Sequence, residues 1–239
     1  IFDEDGVWSG CRVHEEKDIL NWSERLNLLK NIVAENKKYV SGNNFDCIVP
    51  VYGGGDSYFT VHVVKNILKM NPLLVHYNSE FNTKMGIRNL ANLATVFDCD
   101  MVTSTLAPSL LKRITRATMK KYGNMYWQVL AGRYTFPVQV AVKYRIPLIF
   151  WGVHPWSDQT GMFQHINEVE MTERCRKEHG LFGVSAEDIV GLEGLTRSEM
   201  QNFIYPYDNE IEAIGVRGIY LSNYIRWDSK KQHEQMIGL

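Results

Sequence analysis

The residues best suited to chemistry lie together in the segment 52–57, which reads YGGGDS. Three consecutive glycines remove every Cβ from a turn, so that backbone N–H groups can converge on an anion. A helix that follows such a turn adds its N-terminal donors and the positive end of its dipole, which suits a pyrophosphate. Asp56 offers a carboxylate for a helix cap or for Mg²⁺, and Ser57 offers a hydroxyl for a phosphate oxygen. The segment therefore indicates a phosphate site.

The same segment has a second interpretation, a tight glycine turn that is capped by an acidic or hydroxyl side chain and holds no ligand. It matches neither the GxGxxG dinucleotide pattern nor the Walker pattern with its GK[ST] ending. Its position after the first strand of an alternating pattern favours phosphate. The predicted nucleotide contacts in this loop are Tyr52, Gly53, Gly54, Gly55, Asp56 and Ser57, of which Asp56 and Ser57 are also predicted to be catalytic.

Strands and helices alternate around this loop and must position it. Apolar runs predict strands at 46–51, 73–77, 99–104, 147–152 and 218–225. Helical periodicity covers about 18–38, 57–70, 84–97, 108–122 and 125–144, the last interrupted at Pro137. Strands that are apolar on both faces and separated by helices imply a parallel sheet with helices on both faces. The expected fold class is therefore α/β.

Further candidates follow the other strands, because ligands of parallel sheets bind beyond the carboxyl ends of the strands. Tyr77 and Asn78 end the second strand, and Trp151 and Gly152 end the fourth. All four are predicted nucleotide contacts, although Tyr77 and Asn78 read equally well as a surface strand terminus. His154 is a candidate acid or base or ATP contact, and a histidine satisfied inside a loop is an equal alternative.

Composition limits the classes of partner. The 26 Lys and Arg residues against 27 Asp and Glu give a net charge of −1, which argues against a nucleic-acid partner. The basic run at 112–121 reads as a solvated helix face. No run approaches the roughly 18 apolar residues of a membrane span, and no signal segment is visible. Four cysteines without a CxxC pair suit reduced thiols, so the expected location is cytoplasmic.

The chain divides into two expected parts. Residues 1–40 form an N-terminal segment with a helix, and residues 41–239 form the α/β domain with a helical insertion around 160–204. Within the insertion, Ser185 with Asp188 and Thr196 with Glu199 have the spacing of capping boxes, which predicts short helices. Because the sequence begins at Ile1 rather than at Met, we expect further residues upstream.

The loop resembles the SGGxDS loop of the PP-loop, or N-type, ATP pyrophosphatases, whose fold is adenine-nucleotide alpha-hydrolase-like (HUP). Tyr52 stands where that superfamily carries serine, and Gly55 stands at its variable position, which is usually lysine in the subfamily named below. The resemblance implies binding of ATP with Mg²⁺, adenylation of a substrate oxygen and release of pyrophosphate, after which ammonia or sulfur displaces AMP.

Longer stretches resemble the N-acetyl sugar amidotransferases of bacterial surface-polysaccharide, O-antigen and pseudaminic-acid pathways. They read FDEDGVWSGCR, NPLLVHYNSEFNTKMGIRNLANL, KKYGNMYWQVLAGRYTFPVQVAVKYRIPLIFWG, VEMTERCRKEHGL and GVRGIYLSNYIRWD, between residues 2 and 228. The resemblance implies conversion of a sugar acetamido group to an acetamidino group, on an N-acetyl sugar or its nucleotide-linked form. It also implies a separate glutaminase that supplies the ammonia.

The same resemblance bears on metals and on alternatives. Trp8 stands where the family commonly has a metal-ligand cysteine. Cys11 alone makes no zinc site, because a zinc site needs four ligands. No metal ligand is therefore predicted in this chain, and Zn²⁺ would need ligands outside it, with residues 1–40 belonging to a truncated metal-binding module. The alternatives are another PP-loop activity such as tRNA thiolation, and a catalytically degenerate nucleotide-binding subunit.

Overall fold

The computed structural model describes residues 2–37 and 44–237, and within them strands and helices alternate. The strands are β1 (Cys47–Pro50), β2 (Pro72–Asn78), β3 (Met101–Thr105), β4 (Leu148–Trp151) and β5 (Arg217–Tyr220). The helices are α1 (Ser9–Ile19), α2 (Trp22–Lys37), α3 (Gly55–His62), α4 (Lys84–Phe97), α5 (Pro108–Tyr122), α6 (Trp127–Tyr144), α7 (Pro155–Asp158), α8 (Glu173–Cys175), α9 (Asp208–Ile214) and α10 (Ser229–Ile237). The predicted domain boundary between residues 40 and 41 lies outside the described residues.

The five strands form one parallel sheet in the order β3-β2-β1-β4-β5. At its centre Ile48 of β1 pairs with Leu73 of β2 on one side and with Ile149 of β4 on the other. The chain runs outward from β1 through β2 to β3, then returns to the other side of β1. The order therefore reverses between β1 and β4, the point where parallel sheets open a crevice for ligands.

Alternate residues of each strand pack against helices on opposite faces of the sheet. Val49 of β1 belongs to a core with residues of α2, α3, α4 and α10. Ile48, one position earlier, belongs to a core with residues of α6 and α9. The predicted α/β class with helices on both faces is confirmed, because side chains of a strand alternate between two buried faces.

Helices α4 and α5 begin and end where the periodicity predicted. The Thr83 hydroxyl accepts a hydrogen bond from the Gly86 N–H at 3.0 Å and caps α4, and Pro108 opens α5. The interruption predicted at Pro137 is wrong, since α6 continues from Trp127 to Tyr144. A proline removes one helical hydrogen bond, but this helix is buried along most of its length and packing holds it together.

The insertion around 160–204 contains short helical turns instead of long helices, at His165–Asn167, Glu173–Gly180, Leu192–Gly194 and Gln201–Phe203. Thr196 and Glu199 bond each other's backbone as a capping box does, and the Ser185 N–H and hydroxyl both donate to Asp188. Turns follow both pairs and lead into the 3-10 turns at Leu192–Gly194 and Gln201–Phe203, so the short helices predicted there are single turns.

The basic run on α5 is not a freely solvated face, which corrects that prediction. Arg113 contacts Glu199 at 2.6 Å, and Arg116 and Lys120 contact Glu193 at 3.3 and 2.7 Å. Both glutamates belong to the insertion. The cations therefore dock the insertion on α5.

The N-terminal helices pack against the loop after β4 and against the segment after β5. Lys17 of α1 forms an ion pair with Asp158, and both side chains are more than nine-tenths buried. The Arg25 guanidinium of α2 donates to the backbone oxygens of Asn223 and His165. Within the part of the chain that the structure describes, no helix is long and apolar enough to cross a membrane.

Candidate functional site

The loop between β1 and α3 is shaped by glycine. Gly53 has a φ of +82°, and a Cβ there would lie 2.8 Å from the Gly86 carbonyl oxygen of α4. Only glycine fits such a position without strain. Gly54 is extended and caps α3, and its carbonyl accepts the Ser57 N–H at 2.9 Å. The first N–H groups of α3 are thus turned outward at the carboxyl end of β1, as a helix N-terminus requires.

Side chains of the loop and of α3 hold this turn. The Ser57 hydroxyl is buried and accepts the Tyr52 N–H at 3.0 Å, and the Thr60 hydroxyl donates to the Asp56 carbonyl at 2.7 Å. The Tyr52 hydroxyl donates to Asp56 Oδ2 at 3.1 Å. Asp56 Oδ1 is shielded from solvent without a hydrogen bond, and His233 Nε2 lies 3.4 Å from it. One carboxylate oxygen is therefore available to a cation.

Tyr52 covers the loop that it opens. Its ring folds back over Gly54, where a Cβ would overlap it, and the Arg133 guanidinium lies 5.1 Å from the ring centroid. Burial of the hydroxyl and the charge of Asp56 raise the pKa of Tyr52, so the hydroxyl stays a donor. The ring itself is 45% exposed. Tyr52 and Arg133 thus form a cover on the solvent side.

A cavity of about 200 Å³ lies beneath this cover. It spans the carboxyl ends of β1, β2, β4 and β5, and α6 forms its far wall. Its lining includes Tyr52, Asp56, Ser57, Thr60, Tyr77, Arg133, Tyr134, Trp151, Gly152 and Tyr220. The structure therefore brings the loop residues Tyr52, Asp56 and Ser57 together with Tyr77, Trp151 and Gly152, as the strand-end argument predicted.

Aromatic side chains form the wall of the cavity away from the loop. The ring centroid of Tyr134 lies 6.0 Å from that of Trp151, and Trp151 lies 6.4 Å from Tyr220. Tyr77 packs on Gly132, where a Cβ would overlap its ring, and its hydroxyl donates to Gln128 at 2.8 Å. Burial raises the pKa of Tyr134 to about 12. The wall is therefore apolar and uncharged at neutral pH.

Asn78 does not line the cavity. Its side-chain oxygen accepts the Glu80 N–H at 3.1 Å and the Asn82 amide at 2.7 Å, and its amide donates to the Thr105 hydroxyl at 3.3 Å. Asn78 therefore organises the turn after β2, which matches the alternative of a strand terminus. The nucleotide contact predicted for Asn78 has no support from its position.

His154 is buried away from the cavity lining, although its neighbours Val153 and Pro155 line it. Its Nδ1 accepts the Ser157 N–H at 3.2 Å, and its ring lies 4.2 Å from the Tyr220 ring. Burial lowers the pKa of His154 to about 4, so the imidazole is neutral near neutral pH. The alternative of a histidine satisfied inside a loop is met only at Nδ1, because Nε2 is buried without a hydrogen-bond partner, and the position gives no support to an acid or base.

Sequence reasoning missed three residues of the site, Thr60, Tyr220 and His233. Thr60 lies one helical turn after Asp56, a spacing that could have identified it. Tyr220 ends β5 and follows the strand-end rule that was applied to the other strands. His233 lies 177 positions after Asp56 in a separate helix, and no local pattern in the sequence connects the two.

Asp56 is the candidate metal ligand of this site. Among residues 2–37 and 44–237, no group of three or more His, Cys, Asp and Glu side chains is placed to hold a metal ion. Mg²⁺ needs no such group, since it commonly binds through one or two carboxylates, waters and substrate phosphates. The solvent-shielded, unbonded Oδ1 of Asp56 fits that role.

Comparison with known proteins finds structural neighbours of this chain but no family that it matches. No protein family and no curated protein matches the sequence. An NH3-dependent NAD synthetase from Campylobacter jejuni is 12% identical with a TM-score of 0.42, over 61% of this chain and 62% of that chain. The chain thus spans less than two thirds of that synthetase. NMN synthetase from Francisella tularensis is 12% identical with a TM-score of 0.44, over 92% of this chain and 94% of that chain.

Both TM-scores are under 0.5, so neither likeness carries an argument about function. The fold stands on the parallel strand order and on the helices that cover both faces of the sheet.

Proposed function

We propose that this protein is an ATP-dependent amidotransferase of the PP-loop class that converts the acetamido group of an N-acetyl sugar to an acetamidino group. One observation carries the proposal. Asp56 and Ser57, in the first turn of the helix that follows the glycine loop, line a cavity at the point where the strand order reverses. Backbone donors, a carboxylate and a hydroxyl at one place suit the triphosphate of ATP with Mg²⁺.

The chemistry follows from the weakness of an amide as an electrophile. The amide oxygen attacks the α-phosphorus of ATP, and the bond to the pyrophosphate breaks. Ammonia then adds to the activated carbon, and AMP leaves with the former amide oxygen, so that a C=N bond replaces the C=O bond. The phosphate loop would stabilise the charge that builds on the pyrophosphate, because its donors are fixed before the reaction.

Magnesium would supply a positive charge to the phosphate oxygens and is the expected partner of Asp56. Ser57 supports the proposal through its position. Its Oγ lines the cavity and accepts the Tyr52 N–H, which leaves the hydroxyl proton to donate to a phosphate oxygen. Thr60 holds the Asp56 backbone one turn below. The triphosphate end of the site is therefore built from α3 and the loop before it.

The aromatic wall supports a sugar as the second substrate. Sugar rings have apolar faces, and Tyr134, Trp151 and Tyr220 present ring surface to the cavity. The cavity of about 200 Å³ is smaller than the roughly 300–1,000 Å³ of typical ligand sites. Both substrates fit only if the cover formed by Tyr52 and Arg133 swings outward. Ammonia would come from a separate glutaminase, as the sequence resemblance implies.

The test is release of AMP that depends on the sugar. Purified protein is incubated with ATP, Mg²⁺, an ammonium salt and a panel of free and nucleotide-linked N-acetyl sugars, and AMP and the sugar product are measured by mass spectrometry. We expect AMP, pyrophosphate and a sugar product in which NH replaces O. The matched control is the same sugar without its acetyl group, which has no carbonyl oxygen to activate. AMP release in no member of the panel would contradict the proposal.

A second candidate, a nucleotide-binding subunit without catalysis, is favoured by the position of Tyr52. Its ring lies over Gly54, and its hydroxyl occupies one oxygen of Asp56. Replacement of Tyr52 by serine removes this cover and keeps a hydroxyl. A large gain in turnover by Tyr52→Ser would support the degenerate subunit, whereas substantial turnover by the unmodified protein excludes it.

A further inference from the structure

The phosphate loop contains no cation of its own. Segment 52–57 has no Lys, Arg or His, and Asp56 adds a negative charge where a triphosphate would bind. Phosphate sites of proteins usually include a charged donor as well as backbone N–H groups, because charge-assisted hydrogen bonds are about twice as strong as neutral ones. The cations must therefore come from other elements.

Two side chains with N–H donors lie beside the loop. Arg133 of α6 lies on the cavity side, with its guanidinium 5.1 Å from the centre of the Tyr52 ring. His233 of α10 lies on the other side, with Nε2 3.4 Å from Asp56 Oδ1. The imidazole fills the space that a Cβ of Gly55 would occupy. It therefore rests directly on the first turn of α3.

The position of His233 is fixed by the packing of its helix. Trp227, just before α10, packs edge to face on Phe59 of α3 with ring centroids 5.4 Å apart. Gln232 and Met236 of α10 are buried. The His233 side chain itself is 47% exposed, so its ring can turn without disturbing the helix.

We infer that His233 is a nucleotide-binding residue, which donates from its imidazole to a phosphate oxygen at the N-terminus of α3 once Mg²⁺ takes its place beside Asp56. This inference rests on the proposed function, because it needs ATP at the loop. It explains why glycine stands at position 55, because any larger side chain there would displace the His233 ring, which carries the donor nitrogen. Helix α10 thereby completes a site that begins at the end of β1.

The experiment is a calorimetric titration of the protein with ATP and Mg²⁺ and, separately, with adenosine. His233→Ala should weaken ATP binding about tenfold, the loss of one charge-assisted hydrogen bond, and should leave adenosine binding unchanged. Gln235→Ala, an exposed neighbour on the same helix, is the matched control and should bind as the unmodified protein does.

Two further variants separate hydrogen-bond donation from packing. His233→Lys keeps a side-chain donor for phosphate and should bind ATP within about threefold of the unmodified protein. The double variant Gly55→Lys with His233→Ala moves the side-chain donor from α10 into the loop and should recover the affinity that His233→Ala loses. Weak binding by both variants would assign the loss to packing of the ring on Gly55 and would overturn the inference.

The remaining outcomes distinguish this inference from the proposed function. ATP binding by His233→Ala equal to that of the unmodified protein overturns the role of His233 and leaves the proposed function standing. Tighter binding by His233→Ala means that the ring blocks the loop, which also overturns it. Absence of ATP binding by the unmodified protein overturns the proposed function and the inference together.

Discussion

Two loops at the carboxyl end of the sheet differ in how their side chains are used. The phosphate loop, residues 52–57, is built from glycine, and its first residue is 45% exposed. The β4 loop, residues 152–158, buries His154, Ser157 and the carboxylate of Asp158. Both follow central strands of the same sheet. One leads into the N-terminus of a helix at the carboxyl end of β1, and the other fixes the cavity wall by burying its polar groups.

This difference shows that a polar residue at the end of a strand does not belong to the functional site by its position alone. Asp56 and Asp158 each have one buried oxygen without a hydrogen bond, and of the two only Asp56 lines the cavity. Asp158 is held in an ion pair with Lys17 of α1, and His165 Nε2 lies 3.9 Å away. Burial alone would raise the pKa of Asp158, but the ion pair with Lys17 and the nearby His165 outweigh it and lower that pKa. Asp158 is therefore a charged structural group.

The largest effect is expected from breaking the ion pair of the β4 loop. Asp158→Ala leaves the Lys17 ammonium buried without a counter-charge and should lower the free energy of unfolding by about 3–5 kcal/mol. Denaturant titration followed by circular dichroism measures this loss. Arg12→Ala, which removes the exposed ion pairs of Arg12, is the control and should cost less than about 1 kcal/mol. Equal losses in the two variants would mean that the β4 loop is not held by this pair.

In the phosphate loop the corresponding change should affect activity and spare stability. Asp56→Asn removes the charge that Mg²⁺ needs and should lower AMP release about a hundredfold, or about 2.7 kcal/mol of transition-state stabilisation. The control Asp100→Asn changes an exposed aspartate before β3 and should retain full activity. If Asp56→Asn lowered the stability of the protein but left AMP release unchanged, the two loops would not differ in this way.

A third prediction uses pH on the buried histidine of the β4 loop. Burial lowers the pKa of His154 from 6.5 to about 4, so between these values the unfolded chain binds more protons than the folded one. The free energy of unfolding should therefore fall as the pH drops, by about 2 kcal/mol between about pH 7 and about pH 5. His154→Gln, measured by denaturant titration at both pH values, should show a loss smaller by that amount. An identical pH dependence in both proteins would show that His154 titrates normally.

The smallest effect is expected from the cover over the phosphate loop. Tyr52→Phe removes only the hydrogen bond to Asp56 Oδ2, on an exposed side chain, and should change the free energy of unfolding by about 0.5–1 kcal/mol. Thermal unfolding measures the difference. Tyr77→Phe removes a buried hydroxyl bonded to Gln128 and is the comparison, with a larger expected loss of about 1–2 kcal/mol. A larger loss from Tyr52→Phe than from Tyr77→Phe would mean that the cover is a rigid part of the fold.

The sequence predicted the sheet and the glycine turn before α3 because both depend on local patterns. Buried parallel strands are apolar runs, and a glycine turn before a helix has few geometries open to it. The side chains of the β4 loop were not predictable in this way. What fixes His154 and Asp158 is contact with Tyr220 and Lys17, which lie 66 and 141 positions away. The placement of His233 on Gly55 has the same origin.

Pro137 and the basic run on α5 also show where prediction from local sequence fails. Local propensity ends a helix at a proline, yet burial along most of its length keeps α6 continuous. Charge patterning leaves Arg113 in solvent, yet Glu199 of the insertion approaches within 2.6 Å. In both cases tertiary contacts override a correct local rule.

The most direct test of the account is a crystal structure with a non-hydrolysable ATP analogue and Mg²⁺. The account predicts phosphate oxygens within hydrogen-bond distance of the N–H groups at the start of α3 and of the Ser57 hydroxyl, with Mg²⁺ on Asp56 and the Tyr52 ring swung outward. Nucleotide bound elsewhere on the protein, or a loop at 52–57 that stays covered by Tyr52 with saturating nucleotide, would contradict it.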